Sequence, residues 1–134
     1  MNNLYNTLTF VDNFVQLSHV NKEEKYVAEC IVKLCHINSS KDVTEYLKEF
    51  PELDEEQKNA VIGAFSNQVF CLSSLAGCGK TYCAAIIYKI ALKLGLNPIT
   101  MCPTGKAAKR FSDMSGGECK TIHRTLGYAP NRDR

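Results

Sequence analysis

The chain has 134 residues, 45% hydrophobic and 22% charged, with a formal net charge of +2, the balance of a soluble globular protein. No apolar stretch approaches the length of a membrane span, and Met1-Asn2-Asn3-Leu4-Tyr5 lacks the basic start and apolar core of a secretory signal. Seven cysteines with no C-x-x-C pair and no histidine cluster exclude the usual disulfide scaffolds and zinc modules, and point to a reducing, cytoplasmic location.

In chain order, the first 50 residues read as a small helical region. Leu4, Leu8, Val11 and Val15 follow the stripe of an amphipathic helix. A second stripe, Tyr26, Val27, Cys30, Ile31, Leu34 and Cys35, opens at Asn21 as N-cap with Glu23 and Glu24 in the first turn. Val43, Tyr46, Leu47 and Phe50 make a third, ended by Pro51. Pro51-Glu52-Leu53 then reads as a linker, which divides the chain into a helical region over 1–52 and a second domain over 53–134. Asp54 caps a helix over 55–65, its acidic first turn suited to the positive end of the helix dipole.

The second domain centres on Ser73-Ser74-Leu75-Ala76-Gly77-Cys78-Gly79-Lys80-Thr81. Val69-Phe70-Cys71-Leu72 before it reads as a short buried strand, and 82–94 after it carries apolar residues at helical spacing. Strand, glycine-rich turn ending in Gly-Lys-Thr, then helix is the context of a phosphate-binding P-loop. Small residues let successive backbone N–H groups converge on phosphate oxygens, and the helix N-terminus adds partial positive charge. Lys80 is suited to the β- and γ-phosphates of ATP and the Thr81 hydroxyl to Mg²⁺, with Ala76, Gly77, Cys78 and Gly79 completing the candidate nucleotide site. The competing reading is a chance glycine-rich turn. Ser74 stands where the pattern G-x-x-x-x-G-K-T has its first glycine. Cys78 reads either as an oxidation-sensitive thiol near a helix N-terminus or as a tolerated small side chain.

Gly95 suits the end of the helix that follows the loop, and Ile99-Thr100-Met101-Cys102 reads as another strand. Pro103-Thr104-Gly105 turns into a helix over 106–114, Gly116-Gly117 breaks it, and 121–126 reads as a helical turn or two. Alternating strands and helices imply an α/β domain with a parallel sheet, in which ligands bind at the carboxyl ends of the strands. Charge is uneven: residues 1–54 hold five Lys against nine Asp or Glu, and residues 55–134 eleven Lys or Arg against five acids. The basic part favours a polyanionic partner. Lys106, Lys109 and Arg110 fit either a phosphate-tracking face or a solvated helix face; spacing does not decide between them.

Four segments occur in the order and spacing of RecD-like superfamily 1 DNA helicases: Leu53-Asp54-Glu55-Glu56-Gln57, the phosphate loop, Pro103-Thr104-Gly105-Lys106-Ala107-Ala108-Lys109-Arg110, and Thr121-Ile122-His123-Arg124-Thr125-Leu126-Gly127-Tyr128. The resemblance covers 53–128 closely and residues 1–50 only loosely. It implies a partial RecA-like P-loop NTPase domain, and ATP-driven 5′→3′ movement on single-stranded DNA in recombination, repair or replication, with or without further subunits. It makes Gln57 the reader of the adenine edge, Gly77, Gly79, Lys80 and Thr81 the nucleotide and Mg²⁺ site, and Pro103, Thr104, Gly105 and Lys106 a DNA-backbone contact. Lys106 replaces the family's usual arginine and loses its bidentate fork. Thr121 and His123 resemble a further DNA-side element, though His123 equally fits a fold-supporting position at a helix start. No carboxylate pair at the end of an apolar strand follows Thr81. The expectation is therefore the N-terminal part of such a helicase, inactive alone, with a non-catalytic nucleotide- or DNA-binding remnant and a different P-loop enzyme as the alternatives.

Overall fold

The computed structural model describes residues 8–11, 13–36, 40–75 and 77–128. They fall into two compact units. The first holds the described residues before Lys41 together with Asn67–Val69, and the second holds Lys41–Ser66 and the described residues from Phe70 onward.

The first unit opens as a hairpin, not as the expected helix. Strands β1 (Leu8–Val11) and β2 (Phe14–Leu17) pair antiparallel, with Leu8 opposite Leu17 and Phe10 opposite Val15. Leu8, Val11 and Val15 match a helical stripe, yet Thr9, Phe10, Phe14 and Val15 are β-branched or aromatic and favour the pleated form. Leu4, the first residue of that stripe, lies outside the described residues. Helix α1 (Ser18–Cys35) follows at once. It starts three residues before Asn21, which is buried in the helix rather than capping it; the cap position is Leu17, which makes no side-chain cap bond. The Thr9 and Ser18 hydroxyls lie 2.7 Å apart, and Gln16 Nε2 donates to Glu24 at 3.1 Å, tying hairpin to helix. The expected stripe is on α1, but Tyr26, Val27, Ile31 and Leu34 are exposed.

The second unit contains α2 (Thr44–Leu47), α3 (Glu55–Ser66), α4 (Lys80–Lys93), β3 (Met101–Cys102), α5 (Gly105–Ser115), β4 (Lys120–Thr121) and α6 (Ile122–Thr125). Its core joins Val43, Leu47 and Leu53 to Val61 and Phe65 of α3 and to Ile86, Ile90 and Ala91 of α4. The third stripe of the sequence thus forms a single turn whose apolar residues belong with the phosphate-loop helix, and this unit begins ahead of Pro51. Burial of each large apolar side chain here contributes roughly 1.5–3 kcal/mol. On the linker, Tyr82 of α4 donates its hydroxyl to the Glu52 carboxylate. That bond holds Glu52 below the ordinary carboxylate range and pushes Tyr82 above the ordinary phenol range.

The α/β expectation holds in a reduced form. Strands β3 and β4 pair in parallel, with Met101 opposite Lys120 and Cys102 opposite Thr121, and α5 makes the crossover between them. Residues 69–72 form no strand, contrary to the sequence reading, and Val69 and Phe70 are exposed. A buried strand needs neighbours to take its backbone hydrogen bonds, and among the described residues of this sheet only β3 and β4 supply ladders. Helix ends follow local chemistry. After α4, Gly95 adopts a left-handed φ of 69°, with its N–H on Leu92 O at 2.9 Å and that of Leu96 on Ala91 O at 3.0 Å. This is a Schellman closure. Among the described residues no helix is long and apolar enough to cross a membrane.

Candidate functional site

The glycines nearest Lys80 take conformations that a side chain resists. Gly77 has φ 89° and Gly79 φ 76°, both left-handed, and Gly79 occupies the N-cap position of α4. The chain therefore enters α4 through a sharp turn that leaves the helix's first N–H groups without side-chain caps, the usual arrangement for receiving an anion. A Cβ at Gly79 would also lie 2.8 Å from Gln57 Nε2, so a side chain here would push that amide aside, while the left-handed backbone is what calls for glycine.

Gln57 reaches the loop because α3 starts where it does. Asp54 Oδ1 accepts from Gln57 N–H at 2.8 Å, and Gln57 Oε1 accepts from Asp54 N–H at 3.2 Å. This reciprocal pair is a capping box built on Asp-x-x-Gln. The amide oxygen of Gln57 is thereby committed to the helix start, and its NH₂ group faces Gly79. The Asp-x-x-Gln spacing is the signal in the sequence for this cap, a contact of Gln57 separate from the nucleotide contact expected of it.

A cavity of about 720 Å³ gathers these groups, its wall including Gln57, Ser74, Gly77, Cys78, Gly79 and Lys80. Ala76 lies outside the described residues. Residues that the sequence reading did not assign to the site, Glu56, Asn59, Phe70 and Cys83 among them, also line it. Cys83 is only 2% exposed and forms an apolar wall, its burial pushing the thiol above its ordinary range. The Lys80 ammonium donates to Ser74 O at 2.6 Å, Leu75 O at 2.7 Å and Ser74 Oγ at 3.2 Å. Those three contacts use all three donors of the ammonium, so a phosphate engages Lys80 only by displacing loop oxygens.

Thr81 is exposed and faces a second cavity instead. This one, about 840 Å³, is shared by Lys80, Thr81, Cys102, Pro103 and Cys119 with apolar residues of α4 and α5. Lys80 thus borders both spaces, and the second connects the phosphate loop to the end of β3.

The remaining candidates cluster at the carboxyl ends of the parallel strands. Thr104 follows β3 and caps α5, its Oγ1 accepting from Ala107 N–H at 3.2 Å. Thr121 closes β4 and caps α6, its Oγ1 accepting from Arg124 N–H at 3.3 Å. Because Cys102 and Thr121 are ladder partners, Pro103–Lys106 and Thr121–His123 emerge side by side. Pro103, Thr104, Gly105, Lys106, Lys109 and Arg110 are exposed, while Ala108 and Phe111 bury the opposite face of α5. His123 is exposed and packs edge-on against Tyr128, with ring centroids 5.4 Å apart. Among the described residues no three His, Cys, Asp or Glu side chains gather in a metal-binding group.

Comparison with known proteins adds the family. The AAA domain model matches residues 57–134. The ATP-dependent RecD2 DNA helicase of Deinococcus radiodurans is 31% identical over 121 residues, which cover 87% of this chain and 17% of that protein. The chain therefore spans less than a fifth of that relative's length. A glycine turn with left-handed backbone, a lysine at the start of α4 and a matching family model agree: the chain belongs to the AAA domain family of P-loop NTPases, in the part of it that resembles RecD-like helicases.

Proposed function

We propose that this chain is the nucleotide-binding part of a RecA-like motor in a RecD-like, ATP-dependent 5′→3′ DNA helicase. The observation that carries the reading is the convergence of Gln57, the left-handed Gly77 and Gly79, and Lys80 on one cavity at a helix N-terminus. In this reading the Gln57 amide donates to the adenine edge, the loop N–H groups cradle phosphates, and Lys80 trades Ser74 and Leu75 oxygens for phosphate oxygens. The donor set fits a nucleotide phosphate. Mg²⁺, held by the Thr81 hydroxyl, supplies charge stabilisation on the phosphates when bound. Pro103, Thr104, Gly105 and Lys106, with Thr121 and His123, grip the backbone of single-stranded DNA without reading sequence. Work in recombination, repair or replication, in the cytoplasm and with or without further subunits, completes the proposal.

The test is Mg-ATP binding by the chain and by Lys80→Ala, measured by calorimetry, together with ATP turnover with and without single-stranded DNA. Loss of a charge-assisted contact of about 1.5–3 kcal/mol weakens binding roughly tenfold or more. Equal affinity in the variant overturns the assignment of the loop. Binding without turnover makes this segment a nucleotide-binding part that needs residues elsewhere for hydrolysis.

A further inference from the structure

Two thiols meet where nothing in the nucleotide or DNA reading requires them. Cys102 ends β3 and Cys119 precedes β4, with their Sγ atoms 3.7 Å apart. The register explains the approach. Cys102 is the ladder partner of Thr121, and Cys119 stands two residues before Thr121, so strand alternation puts both thiols on one face of the sheet. Both backbones are held. Cys119 N–H donates to Ser112 Oγ on α5 at 2.9 Å, Thr100 Oγ1 donates to Glu118 O at 2.7 Å, and Lys120 N–H donates to Thr100 O. Both side chains are half-buried and line the 840 Å³ cavity, which gives a small oxidant access.

We infer that Cys102 and Cys119 are a modification site, a dithiol that closes to an intrachain disulfide when a peroxide reaches it. Bonding distance is about 2.05 Å, so the sulfurs approach by about a further 1.6 Å as the bond forms, and Cys119, just ahead of β4, lies outside the ladder. In the reaction, one thiolate attacks hydrogen peroxide and becomes a sulfenic acid. The second thiol then attacks the sulfenic sulfur and expels water. Two thiol hydrogens and two electrons pass to one peroxide, which leaves as two waters. Burial, and the neighbouring Cys119 thiol, push the Cys102 thiol above its ordinary range, so closure accelerates as pH rises. The bond would staple the strand carrying Pro103–Lys106 to the one carrying Thr121 and His123. Only the consequence for DNA contact rests on the proposed function.

The experiment treats the native chain with hydrogen peroxide, blocks remaining thiols with iodoacetamide, and maps tryptic peptides by mass without reductant. Cleavage after Lys93, Lys106, Arg110 and Lys120 puts the two cysteines on separate peptides, 94–106 and 111–120. The expected product is these two peptides joined, about two mass units below their sum and separated by dithiothreitol. Cys119→Ser is expected to abolish it. Oxidation of the chain without that joined peptide overturns the inference. So does an equal yield from chain denatured in urea, because proximity in the fold would then play no part. The readout involves neither nucleotide nor DNA, so it stands or falls separately from the helicase reading.

Discussion

One substitution separates the cap that Gln57 makes from the nucleotide contact proposed for it. Its oxygen completes the capping box with Asp54, and its NH₂ group faces Gly79 and the cavity. Glutamate serves a capping box as well as glutamine but presents no N–H. Gln57→Glu is therefore expected to leave stability within about 0.5 kcal/mol, measured by urea denaturation. Its affinity for adenine nucleotide should fall about tenfold, the worth of a good hydrogen bond to a buried ring edge. A fall in stability with no change in affinity would reduce Gln57 to a structural cap. The same economy of roles appears at Lys80, whose loop contacts keep the ammonium satisfied until a stronger acceptor arrives.

At the scale of elements, the second unit repeats one device. A short parallel strand ends, a threonine takes the extended conformation, and its hydroxyl caps the next helix. Thr104 and Thr121 do this on neighbouring strands, so the residues proposed to touch DNA are also the residues that start α5 and α6. Thr104→Ala should cost about 0.5–2 kcal/mol in unfolding free energy through the lost cap, and Thr104→Ser should recover most of it. DNA affinity that returns with serine would then report on hydroxyl and cap together. The Lys106, Lys109 and Arg110 side is exposed while Phe111 is buried, an arrangement that both readings of those charges share.

At the scale of the molecule, the division of the chain depends on what α2 packs against. Val43 and Leu47 are buried in one core with Ile86 and Ile90 of α4. A chain starting at Leu53 loses both side chains from that core, each contributing about 1.5–3 kcal/mol. Residues 53–134 should therefore be less stable than residues 41–134 by about 3–6 kcal/mol, a large share of the total for a domain. Urea denaturation of the two pieces checks this, and equal midpoints would detach α2 from the core.

Features decided within a few residues were legible in the sequence. The phosphate loop and the helices at 55–66, 80–93 and 105–115 follow from periodicity, caps and glycines, because propensity, capping and left-handed backbone act over a turn or less. Gly95 ends α4 for the same reason. What depends on a distant partner was not legible. The hairpin is the local exception: Leu8, Val11 and Val15 fit a helix by spacing, while the β-favouring Thr9, Phe10 and Phe14 beside them decide for adjacent paired strands. Val69–Leu72 has a strand's composition but no ladder to join. The one-turn helix α2 finds its core across the fold, and Cys102 and Cys119, 17 positions apart, meet only through the register of β3 on β4. Sequence by itself determined the family, the strand that ends at Cys102 and the left-handed glycines of the loop; tertiary structure alone decided which strand-like segments find a partner and which residues share a core, because both are set by contacts between segments.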